Sequence, residues 1–343
     1  MDASLRRHNS GKALWNHPNQ VDLIVANTVC LKYTVHYTSN TNGDRMHTAL
    51  QSPSLEIHNL APEPVAEWQR LLEFVGLSDA DKLAMSRSVE TLMRRATELV
   101  VDTYNYLQSV PETAAILGWE NGAESNHLEE RRRFFTIWLA RVLGMDTSNE
   151  FALYLFRAGK FHAAHGPRRI HVPSSYITTS IGLVGATFAR YMLEAQLPGD
   201  VVAPAMAGWN KYLSVQLQLM LLGYQIARDF DQGDIAVPIS LFGRLRNIIG
   251  AREITAHTKD GGPVEDILRK FFDYYPLARA EALQLIWNSH EKSDSTWVDV
   301  FPTYAPRPGG WRVLLNGRDL GFAGGFATQV HAEDSISIFP PGR

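Results

Sequence analysis

Cysteine is nearly missing from this chain. Cys30 is the single one among 343 residues, which excludes disulfides within the chain and thiolate metal clusters and fits a reducing compartment. Neither sign of charge dominates: 33 basic side chains face 36 acidic ones, a net charge of −3, so nothing global points to nucleic acid or a membrane as partner. Long apolar runs are lacking too. The most apolar stretch, 212–224, carries Gln216 and Gln218 and is too short to span a bilayer. The opening residues, MDASLRRHNSGK, have cations but no apolar core ending in small residues. No secretory signal is expected from them, and a cytoplasmic protein is. An HExxH pair for a zinc hydrolase is absent, and so is a G-x-G-x-x-G segment opening a βαβ unit for a dinucleotide.

What is present divides the chain. With 343 residues and 45% hydrophobic content, two domains with full cores are expected. Residues 1–60 are rich in Asn, Thr, Ser and His, and only 21–37 reads as strand; a poorly ordered N-terminal extension is expected there. From 61 to 231 the periodicity is helical and strand signals are almost absent. Ser78 followed by Asp81 forms a capping box opening a run through Leu107, Pro111 restarts the chain, and Ser148 caps another helix. Pro204–Phe230 closes the set, with Trp209, Tyr212, Leu213, Leu217, Met220 and Tyr224 at helical spacing. An all-α domain results. Past a polar connector the period changes. IAVPISLF reads as a strand, at a sheet edge because of Pro238, and 234–343 is expected to be a small α+β domain with an inserted loop at 286–310.

The segment GKFHAAHGPRRIHVPSSYI, 159–177, gathers three of the twelve histidines with Lys160, Arg168, Arg169 and Tyr176. On the helix opened by Ser148, Phe151, Leu155, Ala158 and His162 share one face, which puts His162 on the buried stripe near the helix end. Gly159, one turn earlier, leaves room for a flat group. Three readings of His162 stand at this point: a core histidine bonded to backbone, a zinc site with His165 and His171, and an axial ligand to haem iron.

Family resemblance separates them. RAGKFHAAHG, 157–166, resembles the R-x-G-x-x-H-x-x-x-G stretch of globin-coupled sensors and protoglobins, in which the histidine is the proximal haem ligand. TYNYLQSVPETAAIL, 103–117, is similar to the family segment that carries a distal tyrosine, a role the match places on Tyr104. LEERRRFFTIWLARVL, 128–143, resembles the family's distal helix, with Trp138 at its W-L pair and Phe135 beside it. The resemblance covers roughly 62–230. It implies a globin-like fold binding haem b through His162, with Tyr104, Phe135, Trp138 and Tyr176 around it and Lys160 and Arg168, alongside Arg157 and Arg169, as propionate partners. It also implies a diatomic gas as ligand and a homodimer formed through the terminal globin helices.

Residues 234–343 resemble the β-grasp sulfur carriers of the MoaD/ThiS type. LFGRLRNIIGAREI (241–254), VEDILRKFFDYYP (264–276), VLLNGRDL (313–320) and EDSISIFPPGR (333–343) follow the order of their strands and helices. Those carriers end in Gly-Gly, because a side-chain-free tail must thread into an activating enzyme. This chain ends Pro340-Pro341-Gly342-Arg343, so the module is read as a protein-binding domain for an unidentified partner. The leading functional expectation is a gas or redox sensor for O2, NO or CO that relays its ligand state to the β-grasp module. The alternatives are a haem enzyme such as an NO dioxygenase with a separate reductase, and a sulfur carrier of molybdopterin or thiamin synthesis regulated by haem.

Overall fold

The computed structural model describes residues 54–291, 298–308 and 311–340. Cys30, the strand-like 21–37, most of the expected extension and the chain end at 341–343 lie outside the described residues.

The helical region holds α1 (Pro64–Phe74), α2 (Asp79–Arg94), α3 (Ala96–Ser109), α4 (Pro111–Leu117), α5 (Ser125–Leu143), α6 (Asn149–His162), α7 (Ser174–Glu194) and α8 (Gly199–Phe230). Its boundaries follow local chemistry. The Ser78 hydroxyl accepts the Asp81 N–H at 3.1 Å while the Asp81 carboxylate accepts the Ser78 N–H at 2.9 Å, the reciprocal capping box read from the sequence. The expected run through Leu107 breaks at Arg95, whose backbone leaves the helical region at φ −109° and ψ 9°. Its guanidinium pairs with Glu98 and Glu194 and lies 3.6 Å from the Tyr191 ring centre. No glycine or proline marks the place.

Helix α8 is the spine of the core. It packs against α1, α2, α6 and α7 and buries Trp209, Tyr212, Leu213 and Leu219, close to the stripe expected from periodicity. It starts at Gly199 rather than Pro204, which therefore lies inside the helix, in its second turn, and removes the backbone donor to the Asp200 carbonyl. α6 crosses α8 with backbones in near contact. A Cβ on Gly159 would stand 1.9 Å from the Met220 carbonyl oxygen, and one on Gly223 would stand 2.0 Å from that of Phe156. Gly159 therefore serves helix packing, and the expectation that it admits a flat group is corrected.

The C-terminal region consists of β1 (Ile235–Leu241), α9 (Gly243–Ile249), β2 (Glu253–Thr258), β3 (Gly262–Pro263), α10 (Val264–Tyr274), α11 (Pro276–Ala282), β4 (Leu283–Glu291), β5 (Val298–Pro306), β6 (Arg312–Leu315), β7 (Arg318–Asp319), β8 (Gln329–Val330) and β9 (Ile336–Phe339). Its main sheet runs β2-β1-β9-β6-β7, with β1 and β9 parallel and the other neighbours antiparallel. α10 covers it with Ile267, Leu268, Phe271 and Phe272, all buried. A mixed sheet holding one main helix is the β-grasp arrangement, so the chain is a helical globin-like region followed by a small α+β region.

Two expectations for this region change. Pro238 is on a central strand, between β2 and β9. The Leu241 N–H points to β2 and the Phe242 N–H to β9, so alternation turns the Pro238 nitrogen toward β9. The β9 ladder begins only at Ile239, and the missing donor is not needed. The expected loop at 286–310 lies largely within an antiparallel hairpin, β4 with β5, registered from Leu283↔Pro306 to Glu291↔Val298. Leu285 and Trp287 point outward and are exposed, which hid the usual apolar-inward alternation from a sequence reading.

The end of the expected extension is seated on this region. Ile57 is fully buried and bridges Tyr304 of β5. The Asp273 carboxylate accepts the Ala61 N–H at 2.8 Å, and Arg279 donates to the Ala61 carbonyl at 2.6 Å.

Candidate functional site

His162 is the last residue of α6, one face of which buries Phe151 and Leu155. Its Nδ1 lies 2.7 Å from the Ala158 carbonyl oxygen. A carbonyl only accepts, so Nδ1 carries the proton and Nε2 keeps a free lone pair. Burial holds the ring below the ordinary histidine pKa; the Ala158 carbonyl opposes this shift and the positive charge of Arg131 adds to it. The imidazole is neutral near pH 7, the form that binds a metal.

The ring faces a cavity of about 700 Å³ walled by α3 to α8, within the usual range for cofactor sites. Its walls are mainly apolar, with Leu107, Ile177, Ile181 and Val184 beside the aromatic residues. Tyr104, Phe135, Trp138, His162 and Tyr176, all expected at the site, line it together. Phe135 stacks on Trp138 at 5.3 Å and meets Tyr104 edge-on at 6.1 Å. The Trp138 indole donates to Gln216 Oε1 at 3.0 Å, which fixes the ring. The Tyr104 hydroxyl donates to the Arg131 backbone carbonyl at 3.0 Å, and burial raises its pKa. Tyr176 reaches Glu112 at 3.3 Å.

Lys160 and Arg168 do not line the cavity. Lys160 turns to the β-grasp region: its Nζ donates to the Tyr274 carbonyl at 3.1 Å and lies 3.9 Å from that ring's centre. Arg168 pairs with Glu130 at 2.7 Å. Three other arginines line the cavity instead: Arg157, which the sequence named, and Arg131 and Arg190, which it did not. Tyr191 was also missed. Its hydroxyl is buried at the cavity wall, beside the Glu98 carboxylate. Arg131 sits in an RRR run that reads as a solvated face, and no sequence signal sets it apart.

The arrangement fits a planar tetrapyrrole. It offers one neutral imidazole donor, apolar walls and cations for acidic edge groups. A zinc site from the three histidines is not assembled, since His165 bonds Tyr274 and Asp231 while His171 bonds Tyr224. Among the described residues no group of three metal-binding side chains comes together. None of their helices is long and apolar enough to cross a membrane.

Fold and site thus define a globin-like helical region with a cofactor-sized, largely apolar cavity. Residues 65–229, a little under half of the chain, are similar to the Protoglobin family model; proteins of that family bind haem and diatomic gases and are often dimeric. Two solved structures are similar to this chain. The small archaeal modifier protein 1 (SAMP1) from Methanosarcina acetivorans is 24% identical, covering 31% of this chain and 93% of its own, at a TM-score of 0.23. The Haloferax volcanii HVO 2177 protein is 23% identical, covering 34% and 95%, at a TM-score of 0.24. No curated protein matches the chain.

Proposed function

We propose that this protein is a haem-based sensor of O2, NO or CO whose ligand state is relayed to its β-grasp module. One observation carries the reading: the Nε2 lone pair of a neutral His162 is left free at a largely apolar cavity, on a helix whose last turn holds Lys160, bonded to Tyr274 of the β-grasp region. Haem b would be held by His162, with Phe135 and Trp138 as apolar walls and Arg157 and Arg190 available to its carboxylates. Bound there, it supplies an open coordination position for a diatomic gas. The chain's own residues do the rest. His162 is oriented by Ala158, apolar walls exclude water, and Tyr104 is the hydroxyl donor on the adjoining wall.

The relay has a physical route. Three residues past His162, His165 lies 2.9 Å from the Asp231 carboxylate and 2.9 Å from the Tyr274 hydroxyl. The carboxylate only accepts, so Nε2 donates to it, and in the neutral ring Nδ1 accepts from the tyrosine hydroxyl. Any shift of the α6 end is passed directly to α10 and to the end of α8. A homodimer, a protein partner for the β-grasp module and a cytoplasmic location complete the proposal.

The test is the visible spectrum of the haem-supplemented full chain beside His162→Ala. A Soret band that shifts with CO and is lost or altered in the variant supports the reading; no Soret band in either form overturns it. For the relay, partner affinity must differ between ligand states, since equal affinities shift nothing.

A further inference from the structure

Arg131 lies one helical turn before Phe135 on α5 and lines the cavity. Its Nε–H donates to Nε2 of His127 at 3.0 Å. Nδ1 of the same ring faces the Trp119 indole N–H, also at 3.0 Å. Indole and guanidinium groups can only donate. A neutral imidazole has one accepting nitrogen and a protonated one has none. His127 cannot satisfy both neighbours.

Burial, reinforced by the charges of Arg131 and Arg168, holds His127 below its ordinary pKa, so the ring is neutral and one donor always meets an N–H. Trp119 is the less able to move: it is 2% exposed, and its ring packs on His127 at 5.2 Å. Arg131 has the longer, freer side chain and is the one released. Its guanidinium is largely withdrawn from water, the main reason that its pKa falls. Among the described residues no carboxylate pairs with it. Glu130 acts on it only through space and is itself paired with Arg168. A desolvated cation without a direct ion pair is costly, and an anion in the cavity relieves that cost.

The charge sits on the Tyr104 wall. Tyr104 is bonded to the Arg131 carbonyl and meets Phe135 edge-on, while Arg157 and Arg190 remain for the acidic edge of a porphyrin. We propose that Arg131 is a specificity-determining residue of the haem site, its guanidinium leaving His127 to bind a small inorganic monoanion beside Tyr104. The assignment rests on the haem reading above. It gives the site a preference for anionic ligands over neutral ones of the same reach.

The experiment titrates the ferric, haem-loaded full chain with azide and, as the neutral comparison, imidazole, following the Soret band. Arg131→Gln is expected to weaken azide about ten- to hundredfold, the range for a hydrogen bond to a charged group. Imidazole affinity should stay unchanged, and Arg131→Lys should recover most of the azide affinity. Parallel changes for azide and imidazole would overturn the proposal. So would lower haem retention in Arg131→Gln with azide affinity intact, which would assign the cation to the porphyrin carboxylates. Absence of a Soret band in every form would overturn the haem reading itself, and this proposal with it.

Discussion

His165 and Tyr274 are 109 residues apart in sequence and share a hydrogen bond of 2.9 Å between Nδ1 and the phenolic oxygen. That bond joins the segment after the candidate iron ligand to the main helix of the β-grasp region. The Tyr274 ring also packs on Phe230 at 4.5 Å and beneath Lys160. Tyr274→Phe keeps the packing and removes only the hydroxyl. We expect it to lower unfolding free energy by about 1 kcal/mol and to leave the Soret band in place while weakening any ligand-dependent change at the β-grasp surface. Hydrogen exchange of α10 with and without CO measures this. An undiminished CO effect in the variant would remove Tyr274 from the route.

Gly159→Ala and Gly223→Ala should each be strongly destabilising. Alanine normally favours a helix over glycine by about 1 kcal/mol, but here the added methyl meets the facing helix's backbone oxygen at 1.9 or 2.0 Å. Moving α6 from α8 is expected to cost about 1–3 kcal/mol or more, seen as a lower denaturant midpoint. Haem uptake should fall with it, because α6 carries His162. A stabilised variant would show the crossing to be looser than described.

The Tyr104 hydroxyl is already committed to the Arg131 carbonyl. Donating to a bound gas would exchange one hydrogen bond for another, so the net gain is smaller than a fresh bond of about 1.5–3 kcal/mol. Tyr104→Phe should therefore reduce O2 affinity by less than about tenfold, with CO affected less because it is less polarised. Paired O2 and CO affinities check this. A loss for O2 far beyond that range would mean that the hydroxyl is free when ligand binds.

Asp273 is 5% exposed, and burial pushes its carboxyl up to about 7 against the pull of Arg279 and Arg269 and the Ala61 N–H. The unfolded chain releases this proton near the ordinary carboxylate value of 3.8. Between those values the folded form binds more protons, so this group's contribution is present at low pH and is lost as pH rises through its folded value. Asp273→Asn should flatten the stability profile over that interval. Denaturant unfolding at pH 4, 5.5 and 7.5 would show it. An unchanged slope would mean that the carboxylate stays ionised.

Local patterning explains what the sequence made legible. Phe151, Leu155 and His162 share a helical face in either representation, and Ser78 with Asp81 caps α2 as read. What was missed depends on partners distant in sequence. Lys160 lies next to the histidine cluster, yet its position is set by Tyr274, 114 residues on. Arg131 differs from Arg132 and Arg133 only by which side of α5 meets the cavity, and its conflict with Trp119 through His127 needs three dimensions. The β4–β5 hairpin hid behind exposed Leu285 and Trp287, and Pro238 was misplaced because strand order is not local information.

The seating of Ile57 and Ala61 on the C-terminal region alters the mechanics of the whole chain. The helical region leaves α8 directly into β1 at one end, and at the other its entry is held by Tyr304, Asp273 and Arg279. Both of its ends are anchored in the same β-grasp body, like a handle fixed at two points. Neither end can swing as a free tether, so a change of shape inside the helices must strain the anchoring residues or twist the body that holds them.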